Sequence, residues 1–327
     1  MRVKDIGEQK LLEQIKSFCS ENLIGDDGAV LSIDPLQKIV VTTDVLVDGV
    51  HFSDKTTPPS SVGWRSVAAN LSDLAAMGAA PVAITIGLAI PKELPIKWIK
   101  SLYSGINIML NKYNIPIVGG DLCHSPVKTI SITAIGKVYP NHIIKRSTAK
   151  PNQVILVTGH HGMSRAGLEI LSNPRLARDL NKDIRLKFIN AHQNPQPRLD
   201  VLPYLWNTMK THKIAGMDSS DGLADAIIKI CQMSNVGAEI EQSKIPMIAK
   251  LSKWIPKEEA LRWVLYGGED FELVLCLPQE IALKLLPQLG ENAHIIGKIT
   301  QKKSVTLLND NSEDLPLDLS KGFQHFY

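Results

Sequence analysis

Cysteine is scarce in this chain of 327 residues, and its placement excludes more than its number does. Cys19, Cys123, Cys231 and Cys276 lie far apart and form no CxxC pair. That argues against a structural zinc site and a disulfide framework, and it suits a reducing cytoplasm. An excess of one charge is also lacking. Lys and Arg number 36 against 33 Asp and Glu, a formal net charge of +3. No dense basic run with interleaved aromatics occurs, so a nucleic-acid partner is not expected. The longest apolar run, AAPVAITIGLAI, is too short to span a bilayer, and the opening MRVKDIGEQK is too polar for a signal peptide. The expectation is a cytoplasmic protein with no membrane partner.

Several catalytic signatures are missing as well. There is no GxxxxGK[ST] loop, no GxGxxG opening a helix, and no HRD with DFG. GxSxG and HExxH are absent too. If nucleotide chemistry occurs here, its phosphate site is of another kind, built from carboxylates and metal.

What is present is an ordinary globular balance, 44% hydrophobic and 21% charged, at a length for two domains or one large one. EQKLLEQIKSFC puts Leu11, Leu12, Ile15, Phe18 and Cys19 on one helical face. KIVVTTD reads as a strand, PVAITIGLAIP as another, and Ile96 to Lys112 as a helix. NIPIVGGD reads as a short buried strand ending in a Gly-Gly-Asp turn, and KTISITAIGKVY alternates like a strand with two unlike faces. STAKPNQ, rich in small and turn-forming residues, is the candidate boundary, dividing the chain into 1–148 and 149–327. Beyond it come strand, glycine turn and helix in VILVTGHHGMSRAGLEIL, then a polar helical stretch and the loop HQNPQPRLD. KIAGMDSSDGLADAIIKI reads as strand, acidic turn and helix, and YGGEDFELVLCLP as a glycine turn entering a strand. ENAHIIGKI reads as a late strand. Strands and helices mix in both halves, so the class is α/β or α+β.

NLSDLAAMGA poses the sharpest local question. Between Ser66 and Pro91 there is no Lys, Arg or Glu, yet Asp73 stands there. On a helical wheel Val67, Leu71, Leu74, Ala75 and Gly78 form one stripe, while Ser66, Asn70, Asp73 and Met77 share another face. Asp73 lies either on a solvated face short of other charges or against a site, because a buried carboxylate needs a cation or several donors.

Further acidic clusters repeat one pattern. Asp26 and Asp27 lie in IGDDGAV, and Asp44 ends VTTD with Asp48 and His51 just after. Asp121 closes VGGD, Asp218 and Asp221 bracket DSSD, and Glu269 and Asp270 stand in YGGED. Asp beside Gly is common turn chemistry, so one cluster alone means little. Five of them, each at the end of an apolar run, point to hard oxygen ligands for Mg²⁺ shared with substrate phosphates. Thr42 and Thr43 fit as hydroxyl ligands. His160-His161 lacks acidic or cysteine partners nearby and reads as a turn.

Taken in order, IGDDGAVL, TTDVLVDGVHF, NLSDLAAMGA, IVGGD, KRSTAKP, DSSDGL, YGGEDFEL and KGFQHF resemble the thiamine-monophosphate kinase family. That family belongs to the superfamily of aminoimidazole ribonucleotide synthetase, selenophosphate synthetase and a hydrogenase maturation protein. The stretches run from about residue 24 to 326, nearly the whole chain. The resemblance implies ATP-dependent, in-line γ-phosphoryl transfer onto thiamine monophosphate, giving thiamine diphosphate in the final step of its biosynthesis. It implies Mg²⁺ ligands at Asp27, Thr42, Thr43, Asp44, Asp73, Asp121, Asp218 and Asp221, several ions in all. ATP contacts are implied at Tyr103, Gly120, Asp121, Arg146 and Ser220, and substrate contacts at His51, Glu269 and Phe323. No general base is needed, since the acceptor is already an anionic phosphate oxygen. The implied fold has an N-terminal α/β domain whose sheet forms a homodimer interface, and a C-terminal α+β domain.

Two departures stand out: Leu122 and Cys123 where the family commonly continues with Thr, and two histidines in GHHGMSRAGL. Neither touches an implied ligand. Selenophosphate synthetase would require an N-terminal glycine-rich segment with a reactive Cys and a Lys, whereas Cys19 is on an apolar face. Aminoimidazole ribonucleotide synthetase fits the acidic turns less closely. A catalytically dead nucleotide-sensing dimer would lack a ligand aspartate, and each is present.

Overall fold

The computed structural model describes residues 1–19, 29–208, 213–309 and 313–324. They form two compact units: Met1–Leu74 with Ala79–Tyr139, and Pro140–Tyr327 with Ala75–Gly78. In the first, α1 (Val3–Lys16), β1 (Lys38–Val47), α2 (Pro59–Ala76), β2 (Ala80–Ile90), α3 (Ile96–Asn111), β3 (Ile117–His124) and β4 (Thr129–Val138) follow in order. The strands make one sheet in the order β1-β4-β2-β3, with β1 antiparallel to β4 and β3 parallel to β2.

Strict alternation along β4 buries Ile130, Ile132, Ala134 and Val138 under the helices. The opposite face is left open. Ile39 and Val41 are 60% exposed and Val45 47% on β1. Helix α2 lies on the covered face, where a Cβ at Gly136 of β4 would sit 2.9 Å from Leu74. Helix α3 buries Ile96, Ile99, Leu102, Ile106, Met109 and Leu110 at helical spacing. It meets α2 backbone to backbone, since a Cβ at Gly105 would fall 1.7 Å from the Ser60 carbonyl and one at Gly63 2.0 Å from that of Leu102.

The second unit contains β5 (Val154–Val157), α4 (Met163–Ser172), α5 (Lys182–Gln193), α6 (Val201–Thr208), β6 (Ala215–Asp218), α7 (Leu223–Ser234) and β7 (Gly237–Glu241). Then come α8 (Ile248–Leu251), α9 (Lys257–Tyr266), β8 (Leu273–Leu277), α10 (Gln279–Leu289), β9 (His294–Thr300), β10 (Val305–Leu308) and β11 (Leu315–Pro316). Its sheet runs β11-β10-β7-β9-β5-β8-β6. β5 and β8 are buried along their whole length, which explains their unbroken apolar runs VILV and LVLCL. Ile155, Val157, Ile227, Trp263, Val264 and Val274 belong to the core of this unit.

Three local expectations are corrected. Asp44 does not end its strand: β1 continues to Val47, carried by the pairing of Val45, Leu46 and Val47 with β4. Gly119-Gly120-Asp121 is not a turn but part of β3, paired with Thr85, Ile86 and Gly87 of β2. Glycine is required there for close approach, because a Cβ at Gly120 would lie 2.1 Å from the Ile86 carbonyl. Phe18 and Cys19 follow the end of α1 rather than extending it, and the Phe18 ring packs 5.3 Å from that of Tyr103.

Candidate active site

In the first unit the polar face of α2 turns toward β1. Ser66 and Asn70 are fully buried, and Asn70 donates to the Ser66 carbonyl at 3.0 Å. The Asn70 side-chain oxygen accepts the Asp44 N–H at 3.2 Å, and the Thr42 hydroxyl donates to the Asp73 carboxylate. The face holding Asp73 is therefore partly covered: Ser66 and Asn70 are buried, Asp73 is half-buried and Met77 is exposed. It meets Thr42 and Asp44, which point the same way because they are two residues apart on a strand.

Register separates the other residues expected beside them. Thr43 points to the open face, where its hydroxyl lies 2.8 Å from that of Thr133. The cross-strand row Val45, Ser131, Gly87, Asp121 puts Asp121 on that open face too, at the opposite edge of the sheet from β1. Gly120 falls in the same cross-strand row as Asp44, Ile132 and Ile86 but is itself exposed. Tyr103 is 3% exposed, and burial pushes its phenol well above the ordinary range. Asp27 lies outside the described residues.

His51 sits in the turn that follows β1. Its backbone N–H donates to the Val47 carbonyl at 2.9 Å, and its Nδ1 accepts the Val47 N–H at 3.1 Å. An Nδ1 that accepts a backbone donor sets the neutral ring's proton on Nε2.

In the second unit two acidic turns are stitched together. β6 and β8 are antiparallel with Asp218 opposite Leu273, so DSSD and GGED meet at the same end of the sheet. The Glu269 N–H donates to the Ser220 carbonyl at 2.7 Å, and the Ser219 N–H to that of Glu272 at 2.9 Å. Asp218 is 2% exposed and accepts the Ser220 hydroxyl at 3.3 Å. The Asp221 carboxylate is 3.2 Å from Lys229 Nζ, which also reaches Asp225 at 2.8 Å. Burial raises the Asp225 carboxyl, with Lys229 and the nearby Arg146 pulling it down. Arg146 is itself exposed on a short 3₁₀ turn, whose Arg146 carbonyl accepts the Ser234 hydroxyl at 2.7 Å. Phe323 is exposed after the last 3₁₀ turn.

The loop carrying Glu269 is held from beneath by residues that sequence reading did not single out. Glu269 and Phe271 both have positive φ, 58° and 53°, a conformation that persists only when the surroundings enforce it. Asp270 accepts the Gly162 and Ser164 N–H groups at 2.7 and 2.9 Å and so caps α4. Burial pushes its carboxyl up to about 7 against those donors. Glu272 accepts from Thr158 and Arg198, each at 2.6 Å, and Arg198 pairs also with Asp200 at 3.0 Å. His192 Nδ1 is 3.2 Å from the Ser164 hydroxyl and 3.7 Å from the Glu269 carboxylate. His161, read as a turn residue, is fully buried with Nε2 3.0 Å from the Ser219 hydroxyl. Apart from Arg198 with Asp200, no local pattern signals these pairs, because they join residues 28 to 114 apart in the chain.

As donors, Thr42, Asp44 and Asp73 in the one unit and Asp218, Ser220 and Asp221 in the other are all hard oxygens, the set that suits Mg²⁺. Among the described residues no three His, Cys, Asp or Glu side chains converge as a preformed metal site. Each unit's set is half-built on its own, which suits an ion recruited by substrate phosphates, since Mg²⁺ keeps several waters and phosphate oxygens of its own.

Known proteins resemble the chain along nearly its whole length. Residues 25–138 match the model of the AIR synthase related protein N-terminal domain, and 150–308 that of the C-terminal domain. A thiamine-monophosphate kinase of Synechococcus elongatus is 48% identical over 99% of this chain and 98% of its own length. That of Escherichia coli K12 is 35% identical over 93% and 91%. Among solved structures, AaThiL complexed with AMPPCP and TMP superposes with a TM-score of 0.73 at 29% identity, covering 97% of this chain and 98% of that one. The hydrogenase maturation protein HypE in complex with ATP shares the fold, with a TM-score of 0.77 at 17% identity.

Proposed function

The chain belongs to the AIR synthase related proteins and, within them, to the thiamine-monophosphate kinases, and on that premise we propose that it transfers the γ-phosphoryl group of ATP to thiamine monophosphate. The products are ADP and thiamine diphosphate, the last step in making that cofactor. The observation that carries this reading is similarity to a thiamine-monophosphate kinase at 48% identity from end to end, with Asp44 on a strand, Asp73 on a helix, and Asp218 and Asp221 at a strand end and turn as oxygen donors.

The chemistry asks for positioning and charge neutralisation rather than covalent help. Bound Mg²⁺ would neutralise charge developing on the phosphates. Its proposed ligands are Thr42, Asp44 and Asp73, then Asp218 and Asp221, with Asp27, Thr43 and Asp121 completing the set. Arg146 offers a fork suited to phosphate, and its exposure supports a role as an ATP contact with Gly120, Asp121, Ser220 and Tyr103. His51, Glu269 and Phe323 are the proposed contacts to thiamine monophosphate, His51 donating from Nε2. No residue is assigned as general base.

The working form we propose is a cytoplasmic homodimer joined through the open face of the first unit's sheet. Exposed Ile39, Val41 and Val45 support it, since an apolar sheet face of this kind is normally covered. Thr43 and Asp121 lie on that same open face, so a second copy packed against it would bring its own Asp121 into the interface. Asp121 would then act across the interface rather than within its own sheet.

The test incubates purified protein with ATP, Mg²⁺ and thiamine monophosphate and follows both products by anion exchange. Equal amounts of ADP and thiamine diphosphate, abolished by EDTA, are expected. ADP without thiamine diphosphate would assign another acceptor, and turnover of thiamine as fast as its monophosphate would contradict a site built for a phosphate acceptor.

A further inference from the structure

Lys128 stands immediately before β4, in the short connection from β3, with its side chain 8% exposed. A buried ammonium is costly unless it is paired. Here the pairing is complete and comes from one stretch of chain. Lys128 Nζ is 3.1 Å from Asp48 and 2.8 Å from Asp54. It also lies 6.0 Å from the centroid of the Phe52 ring and 5.3 Å from that of Trp98 on α3. The Lys128 carbonyl accepts the Asp48 N–H at 3.0 Å, so main chain and side chain grip the same residue.

Asp48, Phe52 and Asp54 belong to the loop from β1 to α2, and His51 lies between the gripped residues. Within the loop Gly49, with φ of 84°, donates to the Phe52 carbonyl at 2.8 Å, and Asp48 bridges to Phe52. The turn that orients the His51 ring is therefore clamped at both ends by one cation.

Surface ion pairs alone seldom hold a loop, and Asp54 is 75% exposed. What makes this clamp effective is the buried lysine at its centre, with two carboxylates and two aromatic faces around it. An apolar residue could close the loop but could not fix the directions of Asp48 and Asp54.

We propose that Lys128 is a positioning residue for thiamine monophosphate, acting through the loop that presents His51. This rests on the assignment of His51 as a substrate contact. It adds a residue that none of the family-like motifs contains.

The experiment compares Lys128→Met, Lys128→Arg, Asp54→Asn and His51→Asn in steady-state kinetics with each substrate varied in turn. Lys128→Met should raise KM for thiamine monophosphate about tenfold, leaving kcat and KM for ATP within about twofold, and Lys128→Arg should restore most of the loss. Asp54→Asn, at an exposed position that does not endanger folding, should give a smaller rise of the same kind. A second readout needs no turnover: nitrogen-15 spectra of the His51 ring should show one Nε2–H tautomer in the unmodified protein and a mixture in Lys128→Met. Unchanged KM for thiamine monophosphate in both Lys128→Met and Asp54→Asn, with a raised one in His51→Asn, would overturn the proposal and leave the His51 assignment standing. A raised KM in Lys128→Met with none in His51→Asn would overturn the route through His51, and with it that assignment.

Discussion

Asp73 reaches β1 through its carboxylate. Thr42 donates to its carboxylate, and the adjoining turn of α2 uses Asn70 to hold Asp44. Loss of its charge should therefore damage catalysis before it damages the fold. For Asp73→Asn the expected fall in kcat is roughly 10²-fold or more. The accompanying change in unfolding free energy should be about 1 kcal/mol, one hydrogen bond's worth, read from urea midpoints. Full turnover at limiting Mg²⁺ would contradict that. His161 makes a separate prediction about pH. Burial, and then His160, depresses its imidazole to about 3 in the fold, and His160 is itself lowered to about 4. The unfolded chain takes up these protons near the ordinary 6.5 while the fold refuses them. Stability should be intact above that pH and drain away as pH falls, by about 1.4 kcal/mol per unit for His161 and less for half-buried His160, offset in part by Asp270, whose raised carboxyl takes up a proton in the fold over the same range. Denaturation at pH 7 and pH 5 in EDTA should show the loss, and His161→Asn should flatten its slope.

Elements here are placed by very close backbone approaches. α2 and α3 cross where Ser60, Gly63, Leu102 and Gly105 leave no space for a Cβ. Gly105→Ala would drive a methyl into the Ser60 carbonyl and part the helices, tilting the face that carries Asn70 and Asp73. The expected cost is about 1–3 kcal/mol or more, seen as a lower Tm. An unchanged Tm would show that the contact relaxes freely. The same logic governs β3, where Gly120 lets the strand lie against Ile86. Periodicity recovered the helices and strands of the first unit, because burial of one face leaves a repeat of 3.6 or 2 in the residues themselves, but in the second unit α6, β7, α8, α9, α10, β10 and β11 went unread. Strand ends were less legible. Asp44 and Gly-Gly-Asp look like punctuation, yet both are paired within the sheet by partners remote in the chain.

For the whole molecule, the open sheet face of the first unit is the feature with the largest consequence. Val41→Lys should convert the proposed dimer to monomer in sedimentation equilibrium and abolish activity with it. A Val41→Lys protein that remains dimeric would move the interface elsewhere. Two acidic turns, DSSD and GGED, were legible as candidates and prove to share one end of the second unit's sheet. The supports beneath them were not: Arg198 reaches Glu272 across 74 residues, and Asp270 reaches the start of α4 across more than 100. By itself the sequence determined which residues are chemically able to hold phosphate and metal, and which family they belong to, because oxygen donors and glycines are written in residue type. Only the tertiary structure decided which of them face one another. Sheet register put Thr42 and Asp44 with Asp73, and set Thr43 and Asp121 on the other face, since a strand alternates its side chains and a helix can cover only one of its two sides.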